Sequence, residues 1–239
     1  MSPLAPVDPA VRERFEEIVS RGLCSGLKSY DSVCIMGAVN IAARGLSFEK
    51  GIADVTDSAD CASPRASRFA ILLNDKSWSS KQVRAAGLRN LGLALLGSKG
   101  IDEDAWARNF CARFIKEILP ITFRRVASLK AFEGDTIVGE LQAAADTFAA
   151  GTPDVARAAA EVARKAREIA WRIRQKHLRT YADAAAAAAF WVLSSPERDG
   201  VLTRIANIAA EELEFAKAAA SCAAAQPAAR GGFREDEQD

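Results

Sequence analysis

The stretch ADAAAAAAFWVLSSPERDGVLTRIANIAAEELEFAKAAASCAAA, Ala182 to Ala225, decides the fold class. Alanine loses no side-chain entropy on entering a helix and has the best intrinsic helix propensity, and its methyl group lets two helices approach closely. The run Ala184 to Ala189 and the cluster Ala218 to Ala220 belong to a longer alanine-rich section that begins near Leu141 and includes Ala158 to Ala160. This back half of the chain is expected to be helical. No stretch has a strand-like pattern, so the expected class is all-α, a bundle of about eight helices with a long alanine-rich C-terminal hairpin.

Working outward, the same punctuation recurs. A capping residue followed by proline stands at Asp8-Pro9, Ser63-Pro64, Thr152-Pro153 and Ser195-Pro196. The cap oxygen accepts from orphan first-turn N–H groups, and proline at the next position has a helical φ and no N–H to leave unpaired. Asp31, Ser80, Asp102 and Asp135 supply further caps, while Gly22, Gly45, Gly97 and Gly151 stand where left-handed helix stops belong. The resulting helices are 9–21, 32–44, 64–74, 81–96, 103–119, 136–150, 153–194 and 196–225, with a short extra one over 123–132. Val11, Phe15, Ile18 and Val19 form one apolar stripe, and Trp106, Phe110, Phe114 and Ile118 another. In the long helix Val155, Ala159, Val162, Ala166, Ile169 and Ile173 fit a heptad seam that fades at Lys176, which predicts an antiparallel partner within the chain. The organisation read from this is an N-terminal helical module over 1–133, the hairpin packed on it over 134–225, and a disordered polar tail over 226–239.

Composition limits the functions. With 49% hydrophobic residues but only 7% aromatic ones, the core is expected to be close-packed helices rather than a centre of large rings. A formal net charge of +1 provides no global field for nucleic acid or an anionic membrane. The five cysteines are odd in number and never form CxxC, which argues for a reducing cytoplasm and against a disulfide framework or zinc knuckle. The first residues lack the basic and apolar regions of a signal peptide, and no apolar run approaches the roughly 20 residues that cross a bilayer. A soluble cytoplasmic protein without a membrane partner is expected.

Candidate sites are sparse. The loop Leu46 to Ala62 carries Asp54, Asp57 and Asp60, but DxxDxxD lacks the alternating ligands, central glycine and terminal glutamate of a calcium loop. A solvated acidic loop is expected, with no metal and no cofactor. The segment Leu72 to Trp78 reads as a corner in which Asn74 and Asp75 bond nearby backbone and Trp78 is a hydrophobic plug. Its functional alternative places Asp75 and Arg84 on the rim of a pocket with Asp57 and Asp60, the site of a small-molecule-handling enzyme. Cys34 and Cys111 read as small buried hydrophobes, and His177, the lone histidine, as a packed or capping side chain. The strongest charge asymmetry is the ridge Arg157, Arg164, Arg172 and Arg179, with Trp171 nearby. It points to a protein partner, less to nucleic acid. A homo-oligomer is compatible with this surface.

The order GLCSGL (22–27), VCIMGAV (33–39), DCASPRASRFAILLNDKSWSS (60–80) and RNLGLALLGSKG (89–100) resembles a family of uncharacterised bacterial and phage-borne helical proteins. In that family a cysteine- and LND-containing first half precedes an alanine-rich second half. Its members often carry an acidic residue where this chain has Met36 and Gly37. The resemblance implies the architecture and an association with immunity or phage systems, and no mechanism. The expected function is that of a non-enzymatic cytoplasmic interaction or scaffold protein.

Overall fold

A computed structural model describes residues 7–118, positions 120, 121, 124, 143 and 146, and residues 195–225. The described chain is helical, with only isolated bridges (Leu23 to Val33, Lys28 to Val33) in place of strands. Its helices are α1 (Pro9–Ser20), α2 (Ile35–Ala43), α3 (Phe48–Gly51), α4 (Pro64–Asn74), α5 (Lys81–Leu95), α6 (Glu103–Glu117) and α7 (Ser195–Ala225). None is long and apolar enough to cross a membrane.

Four expected caps act as such. Asp8 accepts from Ala10 N, Ser63 from Ala66 N, Ser80 from Val83 N, and Asp102 from both Asp104 N and Ala105 N. Gly22, Gly45 and Gly97 have φ of 91°, 71° and 70°, a left-handed backbone that L side chains rarely adopt. Three expectations need correction. The loop 46–62 contains the one-turn helix α3, held by the Arg21 guanidinium 4.5 Å above the Phe48 ring and paired with Glu49 at 3.0 Å. Asp31 caps nothing, because its carboxylate pairs with Lys81. Helix α2 therefore starts three residues later than expected, capped by the Cys34 sulfur.

Helix α5 is the axis of the packing. α1 runs antiparallel to it, with Leu23 N bonded to Lys81 O at one end and Glu16 paired with Arg89 towards the other. α7 runs parallel to it: Ser79 N donates to Asp199 at 3.1 Å, Asn90 to Asn207 at 3.1 Å, and Lys217 Nζ to the carbonyls of Ala94 and Leu96 at 3.2 Å. Gly87 allows this approach. A Cβ there would stand 2.6 Å from Trp78 Cη2 and 2.7 Å from Thr203 Oγ1, closer than side chains pack. α4 and α6 run in the same direction, joined near their starts by the Arg65 to Asp104 ion pair and further on by Phe69, whose ring sits edge-on 4.7 Å from Phe110 and 6.2 Å from Trp106.

One apolar cluster unites all of this, from Phe15 and Ile18 of α1 through Leu88, Leu91 and Leu95 of α5 to Leu202, Ile205, Ile208 and Leu213 of α7. α7 changes character after Leu213. Ala206, Ala209 and Ala210 are buried, but Ala218 and Ala219 are exposed, as is Phe215 at 65%. Alanine therefore makes both halves helical, whereas the large aliphatic residues beside it decide which half enters the core. The sequence-based helices 136–150 and 153–194 and the tail 226–239 lie outside the described residues, as do caps Asp135 and Thr152 and the stop Gly151.

Candidate functional site

Two places concentrate polar groups. The first is the corner where α4 ends, which the sequence marks with Asn74 and Asp75. Asn74 is 1% exposed and fully engaged: Oδ1 accepts from Ile35 N at 3.1 Å, while Nδ2 donates to Cys24 O at 2.9 Å and to Asp75 Oδ1 at 3.1 Å. A single amide thus fastens the end of α4 to the start of α2 and to the 22–34 loop, with partners 39 and 50 residues away in sequence. Asp75 accepts from Gly26 N at 2.9 Å, a glycine with φ of 74°. Trp78 is the expected plug, buried, with Nε1 donating to Leu73 O at 3.1 Å.

Arg84 reaches the same loop from α5, donating from Nη1 to Leu23 O at 2.8 Å. Its residue is 9% exposed and its Nε has no acceptor. Burial pulls this guanidinium below its ordinary pKa, and the charges of Cys24 and Asp75 oppose that pull. Asp75 and Arg84 therefore meet at the Leu23 to Gly26 turn.

Asp57 stands at the cap of α2. Cys34 is buried as expected, yet it is more than a small hydrophobe: Sγ accepts from Gly37 N at 3.2 Å and donates to Asp57 Oδ1 at 3.5 Å. Burial first, and the Asp57 charge in addition, push the thiol up to about 12 against the lowering effect of the Gly37 N–H. Such a thiol stays protonated at neutral pH, when only the thiolate is a good nucleophile. Asp60 is exposed. The acidic loop is tied down by Asn40, which donates from Nδ2 to Ser58 O at 2.7 Å, and by Arg44, which donates to Asp54 O at 3.3 Å. Among the described residues no three His, Cys, Asp or Glu side chains converge as a metal site would require.

The second place is one that sequence reasoning missed. A groove of about 1030 Å³ lies between the start of α1, the end of α5 and the later part of α7. Val7, Leu93 and Ala218 give it apolar surface over a floor that includes the buried Leu96 and Ala210, and Arg12, Asn90, Asn207, Glu211, Glu214 and Lys217 give it polar groups. Lys217 belongs to its α7 wall, its ammonium shared between the Ala94 and Leu96 carbonyls at the end of α5 and Glu214. Glu211 is held by Arg113, which also binds Glu117 and Glu212, and Arg204 joins the cluster through Glu117. Burial alone would raise Glu117, but its hydrogen bonds from Arg113 and Arg204 outweigh that and leave it lowered. No local motif announces the groove, because its walls come from three helices far apart in sequence, around Arg12, around Leu93 and from Asn207 to Ser221.

The ridge Arg157, Arg164, Arg172 and Arg179, Trp171 and His177 lie outside the described residues, as does the Cys111 side chain. Comparison of the chain with protein-family models, with curated proteins and with solved structures gives no match.

Proposed function

We propose that this protein is a non-enzymatic cytoplasmic binding protein that recognises a protein partner through its helical surface. One observation carries the reading: the polar side chains of the α4 corner are engaged with backbone. Asn74 binds Ile35 N and Cys24 O, Asp75 binds Gly26 N, Arg84 binds Leu23 O, and Cys34 binds Gly37 N. Groups so held fix helix positions, and a general base or nucleophile needs a reactive lone pair within reach of substrate. The free thiols of Cys24, Cys34, Cys61 and Cys222 support a reducing compartment. The arginine ridge from Arg157 to Arg179 enters the proposal on sequence alone. Charge reversal at Arg164, Arg172 and Arg179 is expected to abolish co-purification of the partner while leaving the circular dichroism unchanged. Retention of every partner would remove the ridge from the proposal.

A second reading, an enzyme acting on a small molecule between loop 46–62 and corner 74–80, is favoured by the buried Arg84 Nε that lacks an acceptor beside Cys24 and Asp75. It predicts that phosphate or a small dicarboxylate raises the melting temperature and that Arg84→Met removes the rise. An unchanged melting temperature with both anions counts against it.

A further inference from the structure

We infer that the groove between α1, α5 and α7 is a docking site for a short extended peptide carrying an apolar side chain and a carboxylate. The inference rests on the reading of this chain as a binding protein and names the chemistry of what it binds.

Three features of the groove select this occupant. Asn90 Nδ2 donates to Asn207 Oδ1 at 3.1 Å, which leaves Asn90 Oδ1 as an acceptor and Asn207 Nδ2 as a donor, without partners among the described residues, on residues that line the groove. One acceptor beside one donor is the complement of a peptide group, which presents an N–H and a C=O. The charges are unequal in availability. Lys217 is bound by Glu214 and two carbonyls, and Glu211 by Arg113, whereas Arg12 is exposed and makes no side-chain hydrogen bond or ion pair among the described residues. The free charge of the groove is thus a cation, and it suits a carboxylate. The groove also holds apolar surface for one side chain of the ligand, from the half-buried Val7 and Leu93.

Length agrees with this. From Asn207 to Ser221 the α7 wall runs for 14 residue steps, about 21 Å at the helical rise. An extended chain covers that distance in about six residues. Main-chain pairing supplies register, and the apolar and acidic side chains supply selectivity, as in other modes of extended-peptide capture.

The test uses the full-length protein and a displayed library of random heptapeptides. Enriched peptides are expected to combine an aliphatic or aromatic residue with Asp or Glu. By fluorescence anisotropy, a labelled enriched peptide is expected to bind at least about tenfold more weakly to Arg12→Glu and to Asn207→Leu, the loss of one charged or one amide contact. Replacing its Asp or Glu by Lys should restore binding to Arg12→Glu. Arg12 is on the exposed side of α1, so this variant keeps its fold, which its melting curve verifies; Arg108→Glu on α6, away from the groove, should bind as the unaltered protein does. Peptides that bind Arg12→Glu and Asn207→Leu undiminished would overturn the groove assignment and leave the binding-protein reading standing. No enrichment above a blank support, or concentration-dependent self-association abolished by Arg12→Glu, would overturn the peptide as occupant. The broader reading fails separately, if co-purification yields no partner sensitive to any surface substitution.

Discussion

The seam between α5 and α7 and the corner beneath Asn74 join helices by opposite means. The seam is built mainly from shape: Leu88, Leu91 and Leu95 share one buried cluster with Leu202, Ile205 and Ala206, polar bonds such as Asn90 to Asn207 stand at its margin, and Gly87 allows Thr203 and Trp78 to close in. The corner is polar and built from direction, with one buried amide pairing with groups of α2, α4 and the 22–34 loop. A seam tolerates loss of volume in proportion to the cavity left behind, because dispersion and transfer energies are spread over many atoms. A hydrogen-bonded corner is less forgiving per atom, since a lost partner strands buried donors and acceptors at their full desolvation cost. The most motif-like residues of this chain are therefore fasteners.

Substitutions at four sites set the two joints against each other. Leu202→Ala, at a fully buried site of the seam, is expected to cost about 2–5 kcal/mol, the range for truncating a core leucine. Urea denaturation should show a lower midpoint at unchanged slope, and a loss under about 1 kcal/mol would mean that α7 is only loosely docked. Asn74→Ala follows, at about 1–3 kcal/mol for each buried group left unpaired; Asn74→Asp should not rescue it, because it loses the donor to Cys24 O and sets a second carboxylate against Asp75. Gly87→Ala gains about 1 kcal/mol of helix propensity. The new Cβ collides with a Trp78 ring that its own bond to Leu73 O holds in place, and overpacking costs about 1–3 kcal/mol, so the net sign is destabilising. A raised melting temperature for Gly87→Ala would show that the seam has slack.

The smallest effect near neutral pH is at Cys34. Its folded pKa, about 12, lies above the ordinary thiol value of 9.0. Between these values the unfolded chain releases a proton that the folded chain keeps, so the contribution is fully present below pH 9.0 and is lost as pH rises towards 12. The slope reaches at most about 1.4 kcal/mol per pH unit. Cys34→Ser, which keeps the cap acceptor, should match the unaltered protein at pH 7 and fall less steeply above pH 9. Parallel curves would show that the thiol is less enclosed than its contacts indicate.

Much of the fold was legible because helix ends are written locally. Pro64 to Asn74 was read to the residue, and Asp8, Ser63, Ser80 and Asp102 were recognisable caps because a short oxygen-bearing side chain beside a helical pattern has few other uses. The start of α2 was misread because Asp31 has the chemistry of a cap but is claimed by Lys81 from 50 residues away, and because a thiol seldom serves as one. The Asn74 network was legible as a turn and not as a junction, its partners being remote in sequence. The pairing of α7 with α5 was not legible either. Leu202, Ile205, Ile208 and Leu213 mark a buried face and do not name the helix that buries it. The groove left no trace at all, since Arg12, Asn90 and Asn207 are ordinary surface residues until three helices bring them together.

Native-state hydrogen exchange at the Ile35 amide tests most directly the claim that the corner is a fastener. Ile35 is the first residue of α2, a position whose N–H has no partner within its own helix and normally exchanges rapidly. Bonded to Asn74, it should exchange only on global unfolding, as slowly as the Leu91 amide in the middle of α5. Exchange at the rate of an ordinary first-turn amide, with Leu91 still protected, would contradict the account.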